Sequence, residues 1–205
     1  MKTLRGILLS ATIAATSSGA MASTATILDQ NFNPGDSIVM AFITQSYLGQ
    51  SFKPSADNIV GAGLLLTGPG SASAEIRIDL WAEKPTAGGA PLRTGIASGA
   101  GGSWVDVFWD IQSVVPERTY FLTFSTSTSL DNGVGFAGST NADYLRGRLY
   151  AGVTSGAIYA DNPAFNNFDF SFRTFAAAAP VPEPASWASL LGGLALIGAA
   201  RARRR

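Results

Sequence analysis

The sequence predicts an all-β protein, an antiparallel β-sandwich of jelly-roll-like type, carried between two terminal segments that do not belong to the fold. Three observations predict it. Short stretches alternate apolar and polar residues with period two, clusters of Gly, Pro, Ser and Asn separate them, and no window of ten or more residues in the body shows capped 3.6-residue periodicity. The 23 glycines and 10 prolines in 205 residues are what many tight turns require.

Taken in chain order, the expected strands are Ile38 to Thr44, Gly49 to Phe52 and Ile59 to Leu66, followed by four stretches with clearer faces or turn boundaries. Ala74 to Trp81 places Ile76, Ile78 and Leu80 on one face and Glu75, Arg77 and Asp79 on the other. Trp104 to Asp110 turns Val105, Val107 and Trp109 inward. Tyr120, Leu122 and Phe124 alternate with Phe121, Thr123 and Ser125, and Gly133 to Ala137 follows. Leu149 to Thr154 is the eighth strand, and Phe168 to Arg173 closes the domain with Phe168, Phe170 and Phe172 inward. About nine strands with one wet face each fit two packed antiparallel sheets. Gly99-Ala100-Gly101-Gly102 reads as a turn, because no helix follows it to make a phosphate cradle.

Composition excludes several chemistries. With no histidine and no cysteine there is no imidazole base, Ser-His-Asp triad, thiol nucleophile, disulfide or His/Cys metal site. The formal net charge is zero, but residues 23–182 hold 8 basic and 13 acidic side chains, a net charge of −5. The positive charge is concentrated at the two ends, so the body offers no nucleic-acid surface.

Residues 1–22 run from Lys2 and Arg5 through a modestly apolar stretch to Ala20-Met21-Ala22. This is the plan of a secretory signal peptide with an A-x-A site at Ala20 and Ala22, which implies the Sec export machinery and signal peptidase as partners. At the other end, a linker over 176–184 contains Pro180, Pro182 and Pro184, which fix φ and remove backbone donors, so it is expected to be extended. Residues 185–200 carry no charge and would form a transmembrane helix of about 24 Å, short of the ~30 Å hydrocarbon core but extendable by snorkelling arginines. Arg201, Arg203, Arg204 and Arg205 in the tail 201–205 act as a stop-transfer signal and place the C-terminus in the cytoplasm.

Val181, Pro182, Glu183 and Pro184, the run Leu190 to Gly198 and the terminal arginines together resemble the PEP-CTERM sorting signal of exported bacterial proteins, a segment also catalogued as ice-binding protein C-terminal. The resemblance implies an exosortase-type membrane enzyme as partner, a Gram-negative bacterium that makes extracellular polysaccharide, and Pro182-Glu183-Pro184 as a recognition site and not an active site. It implies a protein anchored by its C-terminal helix before processing and then found at the cell surface or outside the cell. The body is similar in strand pattern to a β-sandwich module recurrent in secreted bacterial proteins and akin to carbohydrate-binding jelly rolls. Gln50-Ser51-Phe52, Gly61-Ala62-Gly63-Leu64, Ile78-Asp79-Leu80-Trp81, Gly102 to Val107, Pro116 to Tyr120 and Asp169 to Thr174 carry that likeness.

Within the body, residues 23–175, the aromatics expected to be partly exposed are Trp81, Trp104 and Tyr144, which could stack on sugar rings; core packing or strand-edge cover accounts better for any one of them taken alone. Asp29, Asn31, Asp161 and Asp169 lie near the ends of the module and could supply oxygen ligands to a structural calcium, although no D-x-D-x-D-G loop exists. Otherwise no cofactor is expected. Glu75 and Asp79 sit four residues apart on one strand face with Arg77 between them, a charge-balanced face and not an acid/base pair. These features point to a non-enzymatic protein with a structural or glycan-binding role in the polysaccharide matrix; the alternative is a secreted carbohydrate-active enzyme using carboxylates.

Overall fold

A computed structural model describes residues 25–35, 37–43, 45, 47–85, 89–128, 133–141, 144–151 and 167–179, with 191, 194, 195, 201 and 202 near the C-terminus. In chain order the strands are β1 (Thr26–Phe32), β2 (Ile38–Phe42), β3 (Leu48–Phe52), β4 (Asn58–Thr67), β5 (Ser73–Trp81), β6 (Arg93–Ala100), β7 (Trp104–Ser113), β8 (Tyr120–Thr126), β9 (Gly135–Ser139), β10 (Leu149–Ala151), β11 (Asp169–Phe170) and β12 (Phe172–Ala177). They build a seven-stranded sheet from β1, β2, β4, β7, β9, β11 and β12 and a five-stranded sheet in the order β10-β3-β8-β5-β6. Every pairing is antiparallel. The all-β, two-sheet architecture is the one expected.

The inward faces follow the alternation. Ile76, Ile78 and Leu80 of β5, Leu122 and Phe124 of β8, and Val105 and Val107 of β7 are all buried, and with Phe52, Phe136, Phe170 and Phe172 they form one core between the sheets. Phe124 and Phe170 meet edge to face at 5.3 Å, a favourable arrangement for two quadrupoles. Each such ring removes about 150–250 Å² from water, so the phenylalanines supply much of the driving force that folds the sandwich.

Two strands run where none was expected, β1 and β6. In β1 the register shifts between Leu28 and Gln30, and this bulge spoils the period-two pattern. In β6 the pattern is missing because the face turned to the core, Gly95, Ala97 and Gly99, is nearly without side chains: a Cβ on Gly99 would lie 2.1 Å from Val105 Cγ2, and one on Gly95 would lie 2.6 Å from Val107 Cβ. The two sheets close on each other at the β6–β7 edge, and only glycine fits there. Gly99 and Ala100 accordingly end β6, and only Gly101 and Gly102 turn.

The closing segment also departs from simple alternation. Phe170 and Phe172 are buried as expected, but Asp169 and Ser171, expected to face out, are fully buried as well. The chain changes partners at this point, from β9 for β11 to β4 for β12. Ser171 bridges the fork: its N–H donates to the Ala137 carbonyl at 2.8 Å, and its carbonyl accepts from Leu65 N–H at 3.0 Å. The sheet then runs further than expected, since Ala176 and Ala177, assigned to the linker, are the last residues of β12. First and last strands lie side by side, and Ala178 N–H donates to the Ala25 carbonyl at 2.7 Å.

The signal peptide 1–22 with Ala20 and Ala22, the motif Val181-Pro182-Glu183-Pro184, and Arg203, Arg204 and Arg205 lie outside the described residues. Leu191, Leu194, Ala195, Arg201 and Ala202 are helical and exposed. Among the described residues no helix is long and apolar enough to cross a membrane.

Candidate functional site

Residues paired across antiparallel strands point to the same face, so register alone sets out the outer surface of the larger sheet. One row across it reads Asp106, Gly63, Arg173, Asn31; the next reads Phe108, Gly61, Phe175, Leu28. Trp104, opposite Leu65, begins the row above. The two glycines of β4 form a trough that lets side chains of β7 and β12 meet over it. Arg173 Nε donates to Asp106 Oδ1 at 2.8 Å and Arg173 Nη2 donates to Oδ2, a bidentate pair lying across Gly63. A Cβ on Gly63 would be 2.0 Å from Asp106 Oδ1. The guanidinium is also 4.4 Å from the Trp104 ring centroid and 5.3 Å from that of Phe175. Phe108 and Phe175 touch over Gly61 with centroids 5.1 Å apart.

The result is an open strip in which a planar cation is held between two aromatic rings and a carboxylate. Phe108 is 57% and Leu28 52% exposed, and the Asp106 and Arg173 side chains keep 24% of their surface in contact with solvent. Such a strip offers ring faces for an apolar, disc-like ligand and fixed N–H and oxygen groups beside them. Both Asp106 oxygens are occupied by the guanidinium. Where β7 runs on toward Ser113, a depression of about 370 Å³ is lined by Thr26, Val60, Phe108, Trp109, Ile111 and Ala177.

Trp81 lies on the opposite outer face, that of the smaller sheet. Its indole N–H donates to Thr123 Oγ1 at 3.0 Å, and it borders a hollow of about 160 Å³ with Ala82 to Pro85 and Leu92. Trp81 and Trp104 therefore cannot serve one site. The neighbouring charges are self-contained: Arg77 Nε donates to both Asp79 oxygens at 2.9 and 3.0 Å, Thr94 Oγ1 donates to Asp79 Oδ1 at 2.5 Å, and Ser127 holds Glu75.

Tyr144, expected at the surface, is instead buried. Its ring packs edge-on against Phe172 at 5.0 Å and its hydroxyl donates to Gln30 Oε1 at 2.7 Å, so burial leaves no polar atom stranded. Burial pushes the phenol well above its ordinary pKa.

Asp29 and Asp169 are also held within the fold. Asp29 Oδ1 accepts from the Ser55 and Ala56 amides at 2.8 Å each, and Oδ2 accepts from Thr174 Oγ1 at 3.1 Å. Asp169 accepts from Gln50 Nε2 at 2.6 Å and from the Tyr144 amide at 2.9 Å. N–H and O–H groups aimed at a carboxylate occupy the lone pairs that a calcium ion would need, and calcium asks for six to eight oxygens. The donor set does not suit that ion. Among the described residues no three acidic side chains gather as metal ligands. Asp161 lies outside the described residues.

Fold and tail together define a class: an exported, two-sheet β-sandwich carrying a sorting tag. The tag is specific, because residues 180–205 match the PEP-CTERM protein-sorting motif, which covers all of Val181, Pro182, Glu183, Pro184, Arg201, Arg203, Arg204 and Arg205. The motif implies processing by an exosortase-type enzyme. No curated protein and no solved structure matches the chain. Of the strip on the larger sheet, sequence reading found Trp104 but missed Asp106, Phe108, Arg173 and Phe175. Asp106 and Phe108 share the outward face of β7 with Trp104, but only register could reveal Arg173 and Phe175 beside them, since β7 and β12 are some seventy residues apart and meet across a third strand.

Proposed function

We propose that this protein is a non-catalytic component of the extracellular polysaccharide matrix, binding glycan on the outer face of its larger sheet. The sandwich is then a jelly-roll-like scaffold, delivered by a cleaved signal peptide and held by its C-terminal helix until the sorting tag is processed at the membrane. The observation that carries the reading is Arg173, stacked on Trp104 and Phe175 and clamped by Asp106 on an open, flat surface. Pyranose rings present apolar C–H faces to aromatic rings and hydroxyls to fixed polar groups, and this strip supplies both without a cleft.

The test is an immobilised polysaccharide array probed with the exported protein. Trp104→Ala is expected to weaken binding by about 1–2 kcal/mol, roughly tenfold in Kd, while Trp81→Ala on the far face leaves it unchanged. Absence of binding to every glycan would remove the reading, and release of soluble sugar from any of them would replace it with a hydrolase.

A further inference from the structure

We propose that the end of the sandwich from which the tail leaves is a docking surface for the membrane-embedded enzyme that reads the Pro-Glu-Pro motif, so that folded domain and motif are engaged together. The inference rests on the sorting reading and not on glycan binding.

Four strand ends converge at this end: β1 and β4 begin there, and β7 and β12 finish there. The exit of the chain is fixed. Asn58 Oδ1 accepts from Ala177 N–H at 2.8 Å, Asn58 Nδ2 donates to the Ala177 carbonyl at 3.3 Å, and Ala178 is pinned to Ala25. Pro182 lies three residues beyond Ala179 and Pro184 five, so even a fully extended chain reaches only about 11 Å and 18 Å from the domain. An enzyme that surrounds the motif needs walls about one helix, roughly 10 Å, thick on either side. With so little clearance, a grip on Pro182 to Pro184 brings the enzyme up against the end of the sandwich.

The surface it would meet carries exposed apolar side chains. Ile27 is 49% exposed, Ile111 54% and Phe108 57%, and Ile111 and Phe108 rim the depression that Thr26 and Ala177 also line. Asp57 and Asp110 are exposed at the same end, which favours a protein partner over anionic lipid headgroups. Phe108 belongs to both surfaces, but Trp104 is roughly 20 Å along β7 from Ile111, so the Trp104–Arg173 end of the strip stays clear of the docked enzyme.

The experiment follows conversion of the full chain from tailed precursor to processed form by pulse-chase, in cells that contain the processing enzyme. A flexible Gly/Ser insertion of about ten residues between Ala179 and Pro180 separates motif from domain without altering either. Ile27→Ser with Ile111→Ser changes the surface and leaves the spacing intact. Both chains are expected to convert at least about fivefold more slowly than wild type, with the sandwich still resistant to protease. Conversion of both at the wild-type rate, or faster conversion of the insertion, would overturn the proposal. Identical fates for wild type and Glu183→Ala would bring down the sorting reading itself, and the docking proposal with it.

Discussion

Gly63→Ala and Gly99→Ala are the same chemical change at two crowded glycines, and the structure assigns them opposite consequences. At Gly63 the new Cβ falls 2.0 Å from Asp106 Oδ1, the far end of a surface side chain. The carboxylate swings away and loses its bonds to Arg173, a pair still 24% exposed on each side and therefore worth no more than about 1 kcal/mol after solvent screening. Replacing glycine within a strand returns about 0.5–1 kcal/mol of backbone entropy, so the net change in stability is expected to stay within about 1 kcal/mol. At Gly99 the Cβ falls 2.1 Å from Val105 Cγ2, a β-branched side chain locked in the core. Overpacking there costs about 1–3 kcal/mol beyond anything the backbone regains. Equilibrium urea unfolding followed by tryptophan fluorescence separates the two, and the glycan array reads the site: Gly63→Ala is expected to lose binding several-fold, on the order of 1 kcal/mol, whereas Gly99→Ala keeps it. A loss of more than about 3 kcal/mol for Gly63→Ala would show that the trough supports the sheet and not the ion pair. An unchanged midpoint for Gly99→Ala would refute the close approach of β6 and β7.

Tyr144→Phe leaves Gln30 Oε1 without the hydroxyl donor and should cost about 1–3 kcal/mol in the same unfolding assay. The raised folded-state pKa of Tyr144 means that its contribution to stability is fully present below the ordinary tyrosine pKa of about 10 and declines above it, because the unfolded chain then releases a proton that the folded one retains. Urea midpoints taken on either side of pH 10 should fall more steeply for wild type than for Tyr144→Phe; parallel slopes would contradict this. Glu183→Ala should leave the protein at precursor size in the membrane fraction, as read by fractionation and mass spectrometry of the C-terminus.

The faces of β5, β7 and β8 were legible because each strand has one wet and one dry side, and Ile76, Ile78 and Leu80 could hardly be arranged otherwise. β6 was illegible for the opposite reason: its fit depends on the absence of side chains at Gly95 and Gly99, and absence leaves no pattern. Asp169 and Tyr144 misled because each is polar or amphipathic yet satisfied internally, by Gln50 and Gln30, partners that lie far off in sequence. The sorting tag was legible in full, since a peptide signal must be readable as local sequence by the enzyme that uses it. Of the aromatic strip on the larger sheet only Trp104 was singled out: Asp106 and Phe108 share its strand without marking a site by themselves, and Arg173 and Phe175 come from β12 and join them only through register.

The pairing of β1 with β12 joins residues about 150 positions apart, and under the proposed export by an N-terminal signal peptide it sets an order of events for the emerging chain. The earliest strand to reach the far side of the membrane is the one that must wait longest for its neighbour. Closure of the large sheet then coincides with arrival of the tail, so folding speed is tied to translocation, as expected for contacts of such long range. While it waits, β1 is an unpaired edge, and its bulge between Leu28 and Gln30 is the irregularity that discourages another chain from taking the place reserved for β12.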